Sequence, residues 1–566
     1  MSKNNQPAKK QPAGKKAVTP SKTGMLDQLN KWMEARDKKI FYSLLFLSTM
    51  FTLLLFDSKV SLGGDDSSYI ERAWSLIHDG KFPYFQGPGY PVMLSVFMRI
   101  FGLNVVALKF LSVLCQFGFV WITYLTFRKR IPYTVLFALI AFISVNNFVQ
   151  YYASQTYTET FFLFVQSICL FVTFKIIDSI NQKAGWVDGF KDNYKLWLLF
   201  GLMFVVLTVS KSIAFVTIAG VLFYFLLNKN YKQIVYAIAA YVVFRGVYQL
   251  ITTAIYGAND SNQLELMLRK DLYKPEGGHE DFGGMIDRFL NNFNTYVSWH
   301  MYRIFNLRDF SSLEVLDGDT ITPLPALSFL SSIILALFTF FSYKKNKFIF
   351  FSCIYLIALT GGVFFGVQAN NMQSRLIIIA MPLIFLVLFY GMYEFAKRSS
   401  VLQFLFIAFS VVMLVITIGK SSINAKQNFS ALKKNMGGDM YYGYSPDWEN
   451  FLKLSKYCAD SLPKDAQVLS RKPNMSFIYG NGKKFVGQYI VNSENADTVL
   501  MDWKKENVKY IIMPNLRQNP KKNNGRIINT IQRMLGPVAQ KYPEKCKLLK
   551  TEGTDEPAYL YEIDYE

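Results

Sequence analysis

Apolar runs with at most one charged residue recur along the first 420 residues, and they restrict this chain more than any other feature. The candidate spans are Phe41–Phe56, Asn104–Phe127, Thr134–Phe148, Thr160–Ile177, Leu196–Leu207, Ile213–Leu227, Ile234–Ile255, Leu327–Phe341, Phe348–Phe365, Leu376–Tyr393 and Leu402–Ile418. Runs this apolar belong in a bilayer or in the interior of a helical bundle, although several fall short of the ~20 residues that cross hydrocarbon. A content of 51% hydrophobic residues agrees. The pattern predicts an α-helical polytopic membrane protein of about eleven transmembrane helices.

The loops alternate in charge. With the N-terminus inside, the inner loops carry Arg128-Lys129-Arg130, Lys229 and Lys232, Lys344-Lys345 with Lys347, and Lys397-Arg398. The opposite loops are poor in cations, the asymmetry expected of inner and outer faces. An odd number of spans places the C-terminus outside, periplasmic or extracellular. Residues 1–39 read as a basic cytoplasmic tail, whose first 24 residues hold six lysines and no acid. Such a tail is drawn to anionic lipid headgroups. The net charge of +21 therefore speaks for membrane lipids and not for nucleic acid.

Residues 40–419 read as the transmembrane domain, with outer loops 57–103 and 256–325. Residues 420–566 read as a small extracytoplasmic α/β domain, with buried strands at Gln467-Val468-Leu469 and Lys509–Met513. Cys458 and Cys546 both fall there, and an oxidising compartment would let them pair.

The first outer loop holds Gly63-Gly64-Asp65-Asp66-Ser67-Ser68-Tyr69-Ile70-Glu71. Ser68 and Glu71 have capping-box spacing. Tyr69, Ile70, Ala73, Trp74 and Ile77 share a helical face, so the helix is expected flat on the membrane with Trp74 at the interface. Acids before a helix are usually caps. Ser68 already offers one here, which leaves Asp65 and Asp66 for chemistry. The loop continues through Pro83-Tyr84 and Gly87-Pro88-Gly89-Tyr90-Pro91 to a short apolar helix ending at Gly102.

This order of first span, acid pair, amphipathic helix, Pro-Tyr, Gly/Pro turn and short helix resembles the GT-C superfamily of membrane glycosyltransferases. It is most similar to the bacterial branch related to protein mannosyltransferases and aminoarabinose transferases (glycosyltransferase family 39). Tyr157-Thr158-Glu159 resembles that family's second acidic position, Leu207-Thr208-Val209-Ser210-Lys211 its Leu-Thr-Lys turn, and Ser374-Arg375-Leu376 its Arg-then-Pro segment. Where the family has Glu and Pro-Pro, this chain has Asp66 and Tyr90-Pro91. The likeness covers roughly residues 40–420.

The resemblance implies a GT-C fold and transfer of a sugar from a polyprenyl-phosphate donor to a protein, lipid A or envelope-glycan acceptor at the inner membrane. It implies Asp65 as catalytic carboxylate, with Asp66 and Glu159 as base partner, acceptor ligand or metal ligand. The acid pair suits either a tuned base or a divalent cation, and both readings stand. Lys211 and Arg375 are expected to hold the donor phosphate, and Tyr69 and Tyr90 to line the substrate site. Arg245 lies mid-span, where a charge costs ~3 kcal/mol. It must line the donor site or pair with an acid, while Lys109 is expected to snorkel.

His279-Glu280-Asp281 has metal-ligand types but reads better as a surface loop, since no second histidine has ligand spacing. A flippase should carry acids near mid-bilayer, and here the acids cluster in outer loops. An O-antigen ligase or polymerase would lean on His279 and His300. The chain has no Walker loop, Rossmann fingerprint or nucleophile elbow.

Overall fold

All eleven apolar runs fold as helices. The computed structural model describes residues 24–566 apart from 86, 184, 258–262, 272–276, 308–323, 369–372 and 518–526. Residues 1–23 of the expected basic tail lie outside that set. The rest of the tail is helical, Met25–Ala35 followed by the start of Asp37–Leu54.

Among the described residues, seven helices are long and apolar enough to cross a membrane: Val105–Phe127, Thr158–Ser179, Tyr231–Tyr256, Pro325–Ser342, Lys347–Gly366, Ser374–Ala396 and Ser400–Met436. An eighth forms if Tyr133–Val145 and Asn147–Ala153 count as one span bent by 54°. The other expected runs fold as helices that fall below this length or charge limit. Asp37–Leu54 begins with Asp37-Lys38-Lys39, and Tyr194–Ser210 and Phe215–Leu227 have 17 and 13 residues.

The bend has a residue-level cause. Asn146 is fully buried, and its Oδ1 accepts the backbone N–H groups of Phe148 and Val149. Its amide donates to the Ile304 carbonyl at 2.8 Å. A side chain that caps the second half of a span also ends the first half.

Thr158–Ser179 and Ser374–Ala396 are the most enclosed spans, and Tyr231–Tyr256 and Pro325–Ser342 turn most of their apolar side chains outward. The enclosed pair forms the centre of a helical bundle whose periphery suits lipid. The helix from Ser400 runs unbroken to Met436, so the composition change near Lys420 falls inside a helix.

The C-terminal residues build a five-stranded sheet: β1 Gln467–Ser470, β2 Val486–Gly487, β3 Val508–Met513, β4 Cys546–Glu552 and β5 Ala558–Ile563. The order is β2-β1-β3-β5-β4. β1 lies parallel to β2 and β3, while β5 runs antiparallel to β3 and β4. Both expected strands are present. Leu469 and Ile511 pack with Trp503 and Leu535 in the core of this domain. Cys458 is buried, Cys546 half-buried, and both are free thiols, so the expected pairing is absent.

Candidate functional site

Asp65 and Asp66 open the helix Asp65–His78. Gly64 precedes them at φ +88°, a left-handed turn that a side chain strains. That turn starts the helix early enough to place Ser68 inside it. The Ser68 N–H donates to the Gly64 carbonyl at 3.0 Å, so Ser68 is not the cap its spacing suggested. The acids occupy the first turn, where free backbone N–H groups favour negative charge.

The two carboxylates differ in environment. Asp66 is fully buried. Its Oδ2 accepts the Ser61 N–H at 2.6 Å, and its Oδ1 accepts the Ser61 hydroxyl at 3.0 Å and the Ser67 N–H at 2.8 Å. Burial raises its pKa to about 6, against the pull of these donors. Asp65 keeps a side chain 34% exposed and pairs with Arg375. Burial pushes Asp65 up, but the charge and hydrogen bond of Arg375, reinforced by Arg72 and Lys211, hold it below its ordinary value.

Arg375 rises from the 3-10 turn Ser374–Leu376 at the start of its span. Its Nε donates to Gln373 Oε1 at 2.5 Å, and its guanidinium lies 5.4 Å from the centre of the Tyr157 ring. The Tyr157 hydroxyl meets Ser61 Oγ at 2.5 Å. Ser61 thus joins the clasp of Asp66 to the platform under Arg375.

Glu159 lies in the first turn of Thr158–Ser179 and is fully buried. Its Oε1 accepts from Lys211 Nζ at 2.7 Å, and its Oε2 has no partner among the described residues. Lys211 occupies the extended break between Tyr194–Ser210 and the turn Ser212–Ala214. Gly87 packs against this break at φ +92°, where an added Cβ would lie 2.4 Å from the Ser210 carbonyl oxygen. The Gly/Pro turn and the Lys211 break are therefore fitted to each other. Beside Lys211 lies a cavity of about 220 Å³, lined by Phe85, Ile213, Met267, Val363, Leu376 and Ile379 among others. Its walls are mostly apolar, with Lys211, Ser212 and Gln368 as the polar residues of the lining.

Other expectations fare differently. Tyr69 is buried, and its ring stands edge-on to Tyr90 at 5.8 Å. Tyr90 is also fully buried, with its hydroxyl 2.9 Å from Ser112 Oγ, so it supports Tyr69 instead of lining a substrate surface. Arg245 lies 5.0 Å from the Tyr248 ring centre and 5.9 Å from that of Phe215, on an outward-turned span and apart from the acids. Lys109 does not snorkel: it is buried and paired with Asp57 at 2.7 Å. Trp74 stacks on His78 and meets Phe477 of the C-terminal domain at 5.8 Å, so this domain takes the place expected for the membrane interface.

The histidines stand apart from the acid–cation pairs, His279 exposed and His300 buried. His300 is buried, with Nδ1 2.6 Å from Ser374 Oγ, and burial together with Arg303 pushes its pKa down to about 3. Glu280 pairs with Arg288 at 3.1 Å, and Asp281 caps the helix Phe282–Thr295. Among the described residues no group of three or more His, Cys, Asp or Glu side chains is placed to hold a metal ion. In the acid pair, protein donors reach both oxygens of Asp66, and Arg375 pairs with Oδ2 of Asp65.

Sequence reasoning missed Ser61 as the clasp of Asp66 and Arg72 beside Asp65. Neither stands in a motif. Each is identified only by the fold that brings it close.

An apolar bundle with a small sheet domain over the end that carries Asp65, Glu159, Lys211 and Arg375 is a fold this chain shares with solved structures of low sequence identity. The archaeal oligosaccharyltransferase AglB from Archaeoglobus fulgidus, solved with an inhibitory peptide and a dolichol-phosphate, aligns at TM-score 0.55 and 11% identity over 94% of this chain and 75% of its own. ArnT from Cupriavidus metallidurans, solved with undecaprenyl phosphate, aligns at TM-score 0.51 and 10% identity over 92% of this chain and 97% of its own. No protein-family model matches the chain, and no curated protein matches it in sequence.

Proposed function

We propose that this protein is a glycosyltransferase that moves a sugar from a polyprenyl-phosphate-linked donor to an acceptor hydroxyl. The reading places it in the cytoplasmic (inner) membrane, with the site and C-terminal domain on the outer side. The observation that carries it is the meeting of two acid–cation pairs, Asp65 with Arg375 and Glu159 with Lys211, beside an apolar cavity at Lys211. The cavity suits the isoprenoid chain, and Lys211 in its lining, with Arg375 near by, suits a phosphate. The two similar folds were solved with polyprenyl phosphates, which supports the same donor kind here.

In this reading Asp65 takes the proton of the acceptor hydroxyl as that oxygen bonds to the anomeric carbon. The bond from that carbon to the phosphate oxygen breaks, and its electron pair leaves on the phosphate. Arg375 and Lys211 neutralise the departing charge. Attack opposite the leaving group inverts the anomeric centre. In the pair, Arg375 keeps Asp65 ionised but weakly basic. When donor phosphate draws Arg375 away, burial raises the basicity of Asp65, so the base is activated only with donor bound. Glu159, whose Oε2 has no partner among the described residues, takes an acceptor hydroxyl or the displaced Arg375 in this reading. The acceptor is a protein, lipid A or an envelope glycan.

The test supplies purified protein in lipid nanodiscs with labelled polyprenyl-phosphate sugars and candidate acceptors. Release of polyprenyl phosphate by the native protein and its loss in Asp65→Asn is the expected result. Full turnover by Asp65→Asn removes Asp65 as the base.

A further inference from the structure

The first loop is suspended from the C-terminal part of the chain. Asn428 donates its amide to the Leu54 and Phe56 carbonyls at 3.1 and 2.8 Å. The Ser58 N–H donates to Asn435 Oδ1 at 3.0 Å. Tyr444 brackets Val60, its hydroxyl accepting from the Val60 N–H at 3.0 Å and donating to the Val60 carbonyl at 2.8 Å. Beyond the acids, Lys484 pairs with Asp79 at 2.6 Å. Backbone groups on the approach to Asp65 are thus anchored from 54 onward by side chains that come hundreds of residues later.

Lys472 makes the contact nearest the acids. It leaves the sheet domain between β1 and the helix Pro473–Tyr479, and its Nζ donates to the Leu62 carbonyl at 3.0 Å. An added Cβ on Gly64 would lie 3.7 Å from that nitrogen. Its stem passes the Trp448 ring, with Nζ 5.9 Å from the ring centre. The charges of Asp65 and Asp66 both act on it, while burial lowers its pKa to about 8. A methionine would fill similar space, so packing alone does not call for an ammonium group here. What the ammonium adds is a hydrogen bond to the left-handed turn that presents Asp65, and a positive charge beside the acids.

We propose that Lys472 is a positioning residue of the transfer site, fixing the Ser61–Gly64 turn so that Asp65 meets the acceptor hydroxyl in line. The inference rests on the glycosyltransferase reading for its catalytic consequence and on geometry alone for its structural one. The sheet domain is then a working part of the site. Misplacing a reacting carboxylate by about 1 Å costs on the order of a hundredfold in rate.

The experiment compares full-length Lys472→Met and Lys472→Arg with the native protein in nanodiscs. Amide hydrogen exchange over residues 57–70 is expected to quicken roughly tenfold in Lys472→Met, the mark of local opening. It should stay near native in Lys472→Arg, with β3 and β5 unchanged in both. With undecaprenyl-phosphate sugar, kcat should fall at least about tenfold in Lys472→Met with donor KM within about twofold, and Lys472→Arg should restore kcat. Native exchange over 57–70 in Lys472→Met overturns the proposal, as does native kcat. Loss of protection in β3 and β5 also overturns it, since Lys472 would then be holding the domain together. If the native protein transfers no sugar from any lipid-linked donor, the function reading fails while the exchange data still decide the role of Lys472.

Discussion

Lys211 Nζ lies 2.7 Å from Glu159 Oε1, while the other oxygen of Glu159 is buried without a partner among the described residues. The pair is satisfied on one side, and on the other it leaves a buried acceptor for a polar group that enters the site. Lys211→Met strands the Glu159 carboxylate in the bundle and should cost about 3 kcal/mol of stability. The double variant with Glu159→Gln should recover most of that loss, while donor KM stays raised in both. Melting temperature in detergent and donor titration separate the two effects.

Asp65 is held below its ordinary pKa by Arg375, after burial has pushed it the other way. Arg375→Met removes the larger restraint and leaves burial in control. The acid limb of kcat/KM should then move to higher pH, because the base stays protonated further up the scale. Asp65→Asn should lose about 10²- to 10⁴-fold in kcat, the range for removing a general base. A pH–rate series on the native protein and Arg375→Met checks the first statement, and single-turnover transfer the second.

Asp66 titrates in the opposite sense. Burial lifts it from 3.8 to about 6, so the folded protein holds this proton more tightly than the unfolded chain does. Stability from this group is present below about pH 4 and is lost as pH rises towards 6, where the folded carboxyl finally ionises. Asp66→Asn cannot ionise and should lack that decline. Melting curves between pH 4 and 7, native against variant, read the difference directly.

Gly87 approaches Ser210 so closely that no side chain fits, and its φ of +92° adds strain for any other residue. Gly87→Ala should push the Gly/Pro turn off the Lys211 break. The expected result is a raised donor KM with only a modest change in melting temperature, because the contact lies at the bundle's end. A fall in kcat alone would contradict this.

The membrane class and the order of the apolar runs were legible in the sequence, because hydrocarbon tolerates few charges and each helix must declare itself locally. The strands Gln467–Ser470 and Val508–Met513 were legible for a similar reason: short apolar runs between turn residues have few other uses. Local rules misled where a neighbour outranked them. Ser68 has capping spacing, yet the left-handed Gly64 starts the helix earlier. Trp74 has the pattern of an interfacial anchor, yet Phe477 covers it. Lys109 looked like a snorkelling cation, yet Asp57 lies 2.7 Å away inside the bundle.

The sequence by itself determined that several apolar helices would associate and that Asp65, Glu159, Lys211 and Arg375 would lie at span ends, since charge is expelled from hydrocarbon one residue at a time. Only the tertiary structure decided which charge meets which. Asp65 and Arg375 are 310 positions apart, and Lys211 and Glu159 are 52 apart. Periodicity reaches a few turns of helix, whereas these pairs form because packed spans return distant chain ends to one place. The same packing made two adjacent aspartates unlike, burying Asp66 among its donors and leaving Asp65 to Arg375.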